Sequence, residues 1–463
     1  MTREKIRSIL VVGDGIVGLS AALAFSRALP WVEIKLLRRA IDAESIADHF
    51  PATLPTVGRF HAAIGFDEID LIRRDVAVHH LGTRFDDGAG GGWTHSFGDV
   101  GRGEGMVPFH QIWLGAMKDG KAHNFDAYSP ASVVGGAGKF VHPSGDPQSP
   151  LATYVYGLRV NPGRYLDLLE AATGRIERID GIIAGIDRRA DGGVANLILD
   201  DGRCLAADLF VDCSGPAAAV IGILGASFED WSKAFPAHHV ANSWSEPMPL
   251  EPIDRITNIE GGWRLEATVP GATLQAIVTT QPTDNSTAIR PGRRRESFVA
   301  NVLAIGGSAV ALDPLHGANL SLAHSAILRA IALVPGRNCH PLELAEYNRL
   351  TLLETTRARD FHALFQMHLP GAAAPGETLA RTLTQWHARG RLPFFEEELF
   401  TPSSWMQMLI GSGVLPDDVA PTARSVDPAA AANAMVKFTQ ELATLATRLP
   451  AYPDYLNRMK QPR

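Results

Sequence analysis

An α/β fold of two interleaved domains is what this sequence predicts, and three separated stretches predict it. Residues 7–29, "RSILVVGDGIVGLSAALAFSRAL", pass from an apolar run through a glycine-rich turn into an Ala/Leu-rich segment. Residues 206–220, "AADLFVDCSGPAAAV", carry a second apolar run ending at Asp212-Cys213-Ser214-Gly215. Residues 304–330, "AIGGSAVALDPLHGANLSLAHSAILRA", add another glycine turn before another helix-like stretch. Short continuous apolar runs are how parallel strands, buried on both faces, read in sequence.

In the first stretch Ile9–Val12 predicts a strand and Leu19–Leu29 a helix. Between them Gly13, Gly15 and Gly18, with Asp14 and Ile16 interposed, have GxGxxG spacing. Strand, glycine turn and helix in that order make a Rossmann-like dinucleotide site. The glycines allow a tight turn, close approach of a pyrophosphate and close packing of helix on strand. The helix N-terminus then offers its free N–H groups to the phosphates. Residues 32–39, "VEIKLLRR", predict the next strand, and Arg38 and Arg39 stand where a ribose-binding acid is expected. Three readings of Arg38 stay open: the ribose is held otherwise, the arginine meets a 2′-phosphate, or the pair faces solvent.

GxGxxG spacing does not separate NAD from FAD. The distant stretch does, through Gly306-Gly307, Pro314, Gly317, Ala318, Asn319 and Leu320, which resemble the second FAD motif of flavin monooxygenases. That resemblance implies a helix start against the flavin, where its positive end stabilises the anionic reduced ring. FAD is therefore the expected cofactor, with Asp212 ending an intermediate strand. The expectation is a two-domain FAD-binding fold with an interleaved substrate-domain β-sheet and a C-terminal helical extension. Its FAD-binding parts fall at 1–80, 156–222 and 296–340, substrate-facing parts at 81–155 and 223–295, and the helical region at 341–463.

Composition excludes several classes. The 463 residues are 46% hydrophobic and 20% charged with a net charge of −7, so no footprint for nucleic acid exists. The basic run Arg290 to Arg295 reads as a solvated loop. Cys204, Cys213 and Cys339 fit neither a disulfide framework nor a zinc site, which points to a reducing compartment, and no metal site is expected. No run reaches the roughly 18–20 apolar residues of a membrane span. The basic, apolar N-terminus imitates a signal peptide, but Gly13-Asp14-Gly15 interrupts its core, and a cytoplasmic location is expected.

Further segments resemble one family, the flavin-dependent tryptophan halogenases. Residues 207–232, "ADLFVDCSGPAAAVIGILGASFEDWS", are similar to its Asp-Cys-Ser-Gly and Phe-Glu-Asp-Trp segments. Residues 301–322 are similar to its strand ending in Glu-Pro-Leu-Glu-Ser-Thr, residues 399–416 to its Ser-Trp-x5-Gly-x-Gly stretch, and residues 449–456 sit where it has Met-Pro-x-His. The resemblance implies a separate flavin reductase that supplies reduced FAD, and a flavin hydroperoxide formed with oxygen. Halide attack on it yields hypohalous acid, which travels to a lysine beside an aromatic substrate while a glutamate assists.

The departures fall on the working residues. His316 stands at the family's glutamate and Gly317 at its serine. In "AVHHLGTRF" (77–85) His80 stands at the lysine, with His79 one register away. The flavin loop Gly-Val-Gly-Glu-Ala-Thr is "DHFPAT" (48–53), keeping only Ala52 and Thr53, and the Trp-x-Trp-x-Ile-Pro motif keeps only Trp263 and Pro270. His80 and His316 are the candidate catalytic pair, as base and acid toward a phenol or other acidic aromatic, with unperturbed pKa values near 6.5.

Three functional readings follow: a halogenase or oxygenase of an aromatic small molecule, another flavin oxidoreductase using NADPH through Arg38, or a non-catalytic flavin-binding descendant. Halide use and a homodimer stay open. Trp93, Trp113, Trp244, Trp263 and Trp405 are the aromatics that could line a substrate pocket. "DDGAGGGW" (86–93) reads as a mobile connection, and residues 427–449 as an amphipathic helix begun by Asp427-Pro428.

Overall fold

The computed structural model describes residues 4–50 and 52–461. Strand β1 (Ser8–Val12) leads through the glycine turn into α1 (Ile16–Ala28), with Gly15 at its N-cap. Strand β2 (Glu33–Leu37) returns parallel to β1, Ile9 opposite Ile34. Asp67 caps α2 (Glu68–Arg73) by accepting from the Asp70 amide, and β3 (Ala77–His80) follows. A hairpin of β4 (Gly82–Asp86) and β5 (Gly92–Ser96) sets Thr83 opposite His95 and Phe85 opposite Trp93. The glycine-rich 86–93 segment supplies its exposed turn, though Gly92 and Trp93 already belong to β5.

Strand β6 (Gly157–Val160) pairs antiparallel with β3, while β7 (Glu177–Ile179) lies parallel to β2. Strand β8 (Leu209–Asp212) then inserts parallel to β1 on its other side. Four strands follow, β9 (His239–Ser245) and then a meander of β10 (Ile253–Ile259), β11 (Gly262–Val269) and β12 (Ala272–Thr279), with β9 pairing on β12. The chain returns through β13 (Phe298–Val299) and β14 (Val302–Ala304) to α3 (Ala318–Ala332). The C-terminal extension holds α4 (Pro341–Gln366), α5 (Pro402–Gly411), α6 (Pro428–Arg448) and α7 (Tyr452–Lys460). Asp427 caps α6, its carboxylate accepting from Ala430 N at 2.7 Å, as the Asp-Pro start predicts.

The first sheet has the order β13-β14-β8-β1-β2-β7, parallel except for the β13 edge. The second has seven strands, with β9, β12, β11, β10, β4 and β5 in succession. One core packs α1 and α3 on the parallel sheet; a larger one fills the space between the second sheet and the C-terminal helices. The interleaving is physical: β4 and β5, from the first hundred residues, extend a sheet whose other strands lie after residue 238.

One expectation fails here. Arg293 of the basic run is buried, not solvated, because Gly292–Arg294 is a strand. Its guanidinium pairs with Glu229 at 2.9 Å and donates to Leu352 O and two threonine hydroxyls. Among the described residues no helix is long and apolar enough to cross a membrane.

Candidate active site

At the nucleotide end the glycine frame fits a dinucleotide. Gly13 has φ +112°, and a Cβ there would meet Cys213 O at 2.5 Å. A Cβ on Gly18 would fall 1.8 Å from Gly13 O, so α1 can approach β1 only with glycine at that place. Gly15 caps α1 with extended backbone and no side-chain cap, so the first-turn amides need partners from elsewhere. Arg38 is tied to Asp14, Nε to Oδ2 at 3.0 Å, and Arg39 N donates to the same carboxylate at 3.1 Å. The Arg38 side chain is half-exposed.

The place of a pyrophosphate at the α1 N-terminus is taken by Asp48. Its Oδ1 accepts from Val17 N at 3.4 Å and lies 2.5 Å from where a Gly15 Cβ would be, while Ser45 Oγ donates to Oδ2 at 2.5 Å. Burial raises the Asp48 pKa, with Ser45 and the helix amides opposing it in part. A phosphate approaching α1 would meet this carboxylate, which repels it while ionised.

Asp212 ends β8 fully buried, and its carboxylate is saturated. Oδ1 accepts from Ser214 N, Ser214 Oγ and Ser308 Oγ; Oδ2 accepts from Val220 N and Ile221 N, all within 3.1 Å. It therefore knots the 214–221 loop to the Gly306–Ser308 turn. Gly307 lies in that turn, 3.1 Å by its Cβ position from Pro216. Asn319, in the first turn of α3 with Ala318 and Leu320, fastens the preceding loop by bonds to Leu312 N, Leu312 O and Asp313 O.

Between Pro314 and α3 the backbone turns left-handed twice, at His316 (φ +55°) and Gly317 (φ +65°). A Cβ on Gly317 would meet Ala52 O at 2.2 Å, so residue 52 presses onto this turn. Thr53 holds that contact, its N and Oγ1 donating to Leu158 O and its Oγ1 accepting from Leu158 N. The left-handed conformation costs a residue with a side chain roughly 1–2 kcal/mol, and such strain collects at functional sites.

His316 is buried and Thr83 Oγ1 lies 3.3 Å from its Nδ1, while its Nε2 has no partner among the described residues. His95, which sequence reasoning missed, lies with its ring centroid 4.5 Å from that of His316. Burial, reinforced by the imidazoles of His95, His362 and His80, pushes the His316 pKa well down. Burial likewise lowers His95 to about 3. Burial thus disfavours the protonated ring and works against the general-acid role expected of His316 near its ordinary pKa.

His80 does not hydrogen-bond to His316. Its Nε2 lies 2.9 Å from Gly82 O and 3.1 Å from Asp254 Oδ2, leaving Nδ1 buried without a partner. Asp254 in turn pairs with buried Arg159 at 2.5 Å. A second buried pair flanks the turn, His362 Nδ1 to Asp313 Oδ1 at 2.7 Å. His95, His362, Asp254 and Arg159 belong to no motif: the β4–β5, β3–β6 and β4–β10 pairings bring His95, Arg159 and Asp254 to the site, and α4 brings His362.

Two spaces lie near His316. A narrow cavity bounded by Ala52, Pro314, Gly317, Arg159 and Asp254 reaches Thr83 and His316, with half-exposed Trp244 at its edge. On the other side Phe85, 5.7 Å from the His316 ring, walls a cleft of about 790 Å³. Trp93, Trp113, Trp263 and Phe365 line it, and Phe85 stacks on Trp93 at 4.5 Å. A Cβ on Gly411 would lie 2.1 Å from the Trp93 ring, so α5 leaves that indole its place. Trp405 is excluded from the cleft, buried under the Arg357 guanidinium at 4.1 Å. The size and aromatic walls suit one small planar molecule.

The family model described as tryptophan halogenase matches residues 8–278 and 266–428. Tryptophan 7-halogenase KtzQ of Kutzneria sp. (strain 744) is 23% identical over 100% of both chains. BrvH, a flavin-dependent halogenase from Brevundimonas sp. BAL3, superposes with a TM-score of 0.90 at 30% identity, over 99% of this chain and 100% of that one. Xcc4156, a flavin-dependent halogenase from Xanthomonas campestris, gives 0.88 at 25% identity over 98% and 99%.

Proposed function

We propose that this chain, which belongs to the tryptophan halogenase family, is a flavin-dependent halogenase of an electron-rich aromatic small molecule in which histidine replaces the family's lysine and glutamate. Reduced FAD, delivered by a separate reductase, supplies with oxygen the oxidising power that brings halide to the hypohalous level. The glycine frame of β1, α1 and the Gly306–Gly317 turns would hold the dinucleotide, and the left-handed turn at 316–317 offers a place beside it for halide.

The observation that carries the reading is His316: buried and held toward its neutral form, left-handed in backbone, with Nε2 unpartnered among the described residues, it lines the cavity at Ala52 and Gly317 and lies 5.7 Å from Phe85, a wall of the aromatic cleft. A neutral imidazole can donate from Nε2–H to the hypohalous oxygen and polarise the oxygen–halogen bond. As the ring carbon takes the halogen, that bond breaks to oxygen. The ring proton then joins the departing hydroxide as water. The cleft's indoles and Phe365 would hold the aromatic ring by stacking. His80, its Nε2 3.1 Å from Asp254 Oδ2, would act as a positioning residue.

The test is turnover with chemically reduced FAD, oxygen, bromide and a panel of indoles and phenols, read by mass spectrometry. A brominated product is expected, together with loss of about 100-fold or more of its rate in His316→Ala at unchanged affinity for reduced FAD. Products carrying oxygen but no bromine would replace halogenation by oxygenation. Full bromination by the variant would remove His316 from the chemistry.

A further inference from the structure

On the face of β3 opposite His80, neighbouring residues pointing to opposite sides of a strand, a second cluster forms that the halogenation reading does not use. Glu68 from the start of α2, His79 of β3 and His142 from the segment after Phe140 converge there. His79 Nε2 lies 3.2 Å and His142 Nε2 3.0 Å from the same oxygen, Glu68 Oε1. All three ligand-type atoms fall within 4.8 Å of one another. We infer that Glu68, His79 and His142 form a binding site for a divalent transition-metal ion of the zinc class.

Two imidazoles and one carboxylate are a recurrent ligand set for zinc and for other borderline divalent metals. Zn–N and Zn–O bonds of about 2.0–2.1 Å in tetrahedral array set ligand atoms about 3.3 Å apart; both His–Glu68 separations already match, and the wider span of the set, within 4.8 Å, closes by movement of the part-exposed His142 side chain. The outer shell is also present. His79 Nδ1 meets Tyr452 OH at 3.0 Å and His142 Nδ1 meets Tyr455 OH at 2.5 Å. Metal-bound histidines are oriented by such a partner on the far nitrogen. Tyr156 OH, 2.9 Å from Glu68 Oε2, stands beside the open position. His79 is buried, whereas the His142 and Glu68 side chains are 39% and 28% exposed, which leaves an entry path from solvent.

The spacing 68, 79 and 142 resembles no metal motif, so the sequence reading missed it. Only the packing of α2 and the β3 strand against α7, which carries both tyrosines, assembles the set. A bound cation would clamp that C-terminal helix to the strand that carries His80.

The test uses tag-free, full-length protein, stripped with chelator and exchanged, then titrated with Co(II) in the visible and Zn(II) by calorimetry. Expected are one equivalent of saturable binding, the d–d bands of a low-symmetry Co(II) site, and affinity lost by about 100-fold or more in His142→Ala. Tyr455→Phe, which removes only an outer hydroxyl, should weaken binding about 10-fold. Absence of one-equivalent binding by the wild type would overturn the site. So would equal affinity in His142→Ala with native far-UV dichroism, which would assign the cation to other histidines such as the adjacent His238 and His239.

Discussion

Asp254 meets three demands at one atom pair: it neutralises Arg159, orients His80 and stays ionised. Burial opposes its charge, but His80 and Arg159 outweigh burial and hold its pKa below the usual carboxylate range. Removing one partner of such a pair leaves the other charge buried and uncompensated, at a cost of about 3–5 kcal/mol. Asp254→Ala is therefore expected to lower the unfolding free energy by about that amount in urea denaturation; a loss below about 1 kcal/mol would mean that water reaches Arg159. His80 and His316 were legible in the sequence because each occupies a motif position. Asp254, Arg159 and His95 were not, because nothing in "DRITNI" or "GWTHS" states which strand will lie alongside. His95 faces the site only because the β4–β5 turn sets it opposite Thr83.

Among the elements, the short helix Ile46–His49 bears directly on the cofactor, since it delivers Asp48 to the α1 N-terminus. A carboxylate and a pyrophosphate cannot share that position while both are charged. Asp48→Ser should then bind FAD about 10-fold tighter than wild type at pH 8, a difference of 1.4 kcal/mol. The gap should narrow as pH falls, because the raised Asp48 pKa neutralises the wild-type carboxyl first. Flavin-fluorescence titration measures both, and identical affinities at every pH would show that the segment swings out freely. The strand–turn–helix order around Gly13 was legible because glycine spacing and apolar runs are local. The occupant of the turn was not, since "DHFPAT" matches the family loop only at Ala52 and Thr53.

At the scale of the whole molecule, buried neutral histidines set the acid limit. His61 is lowered to about 4 and His95 to about 3 by burial, and burial pushes His316 and His324 well down. Unfolded, each titrates near 6.5. Below that pH the unfolded chain binds protons that the native state refuses, so stability is complete above about pH 6.5 and falls toward the folded values. Each such histidine contributes a slope of up to about 1.4 kcal/mol per pH unit. Urea midpoints at pH 7, 6 and 5 with constant m-value should fall steadily, and a flat profile would mean that these rings are hydrated in the native state. The interleaved α/β plan was legible because its three nucleotide segments are locally marked, whereas the seven-stranded sheet rests on pairings between distant residues. The β1–β8 contact shows what such pairing demands of a growing chain. Asp208 N donates to Ser8 Oγ across 200 residues, so β1 leaves the ribosome long before the strand that flanks it. Loop closure over that distance makes folding slow and leaves an apolar strand edge exposed meanwhile. Recovery of active protein on expression should therefore be governed by synthesis rate and holdase capacity more than by equilibrium stability.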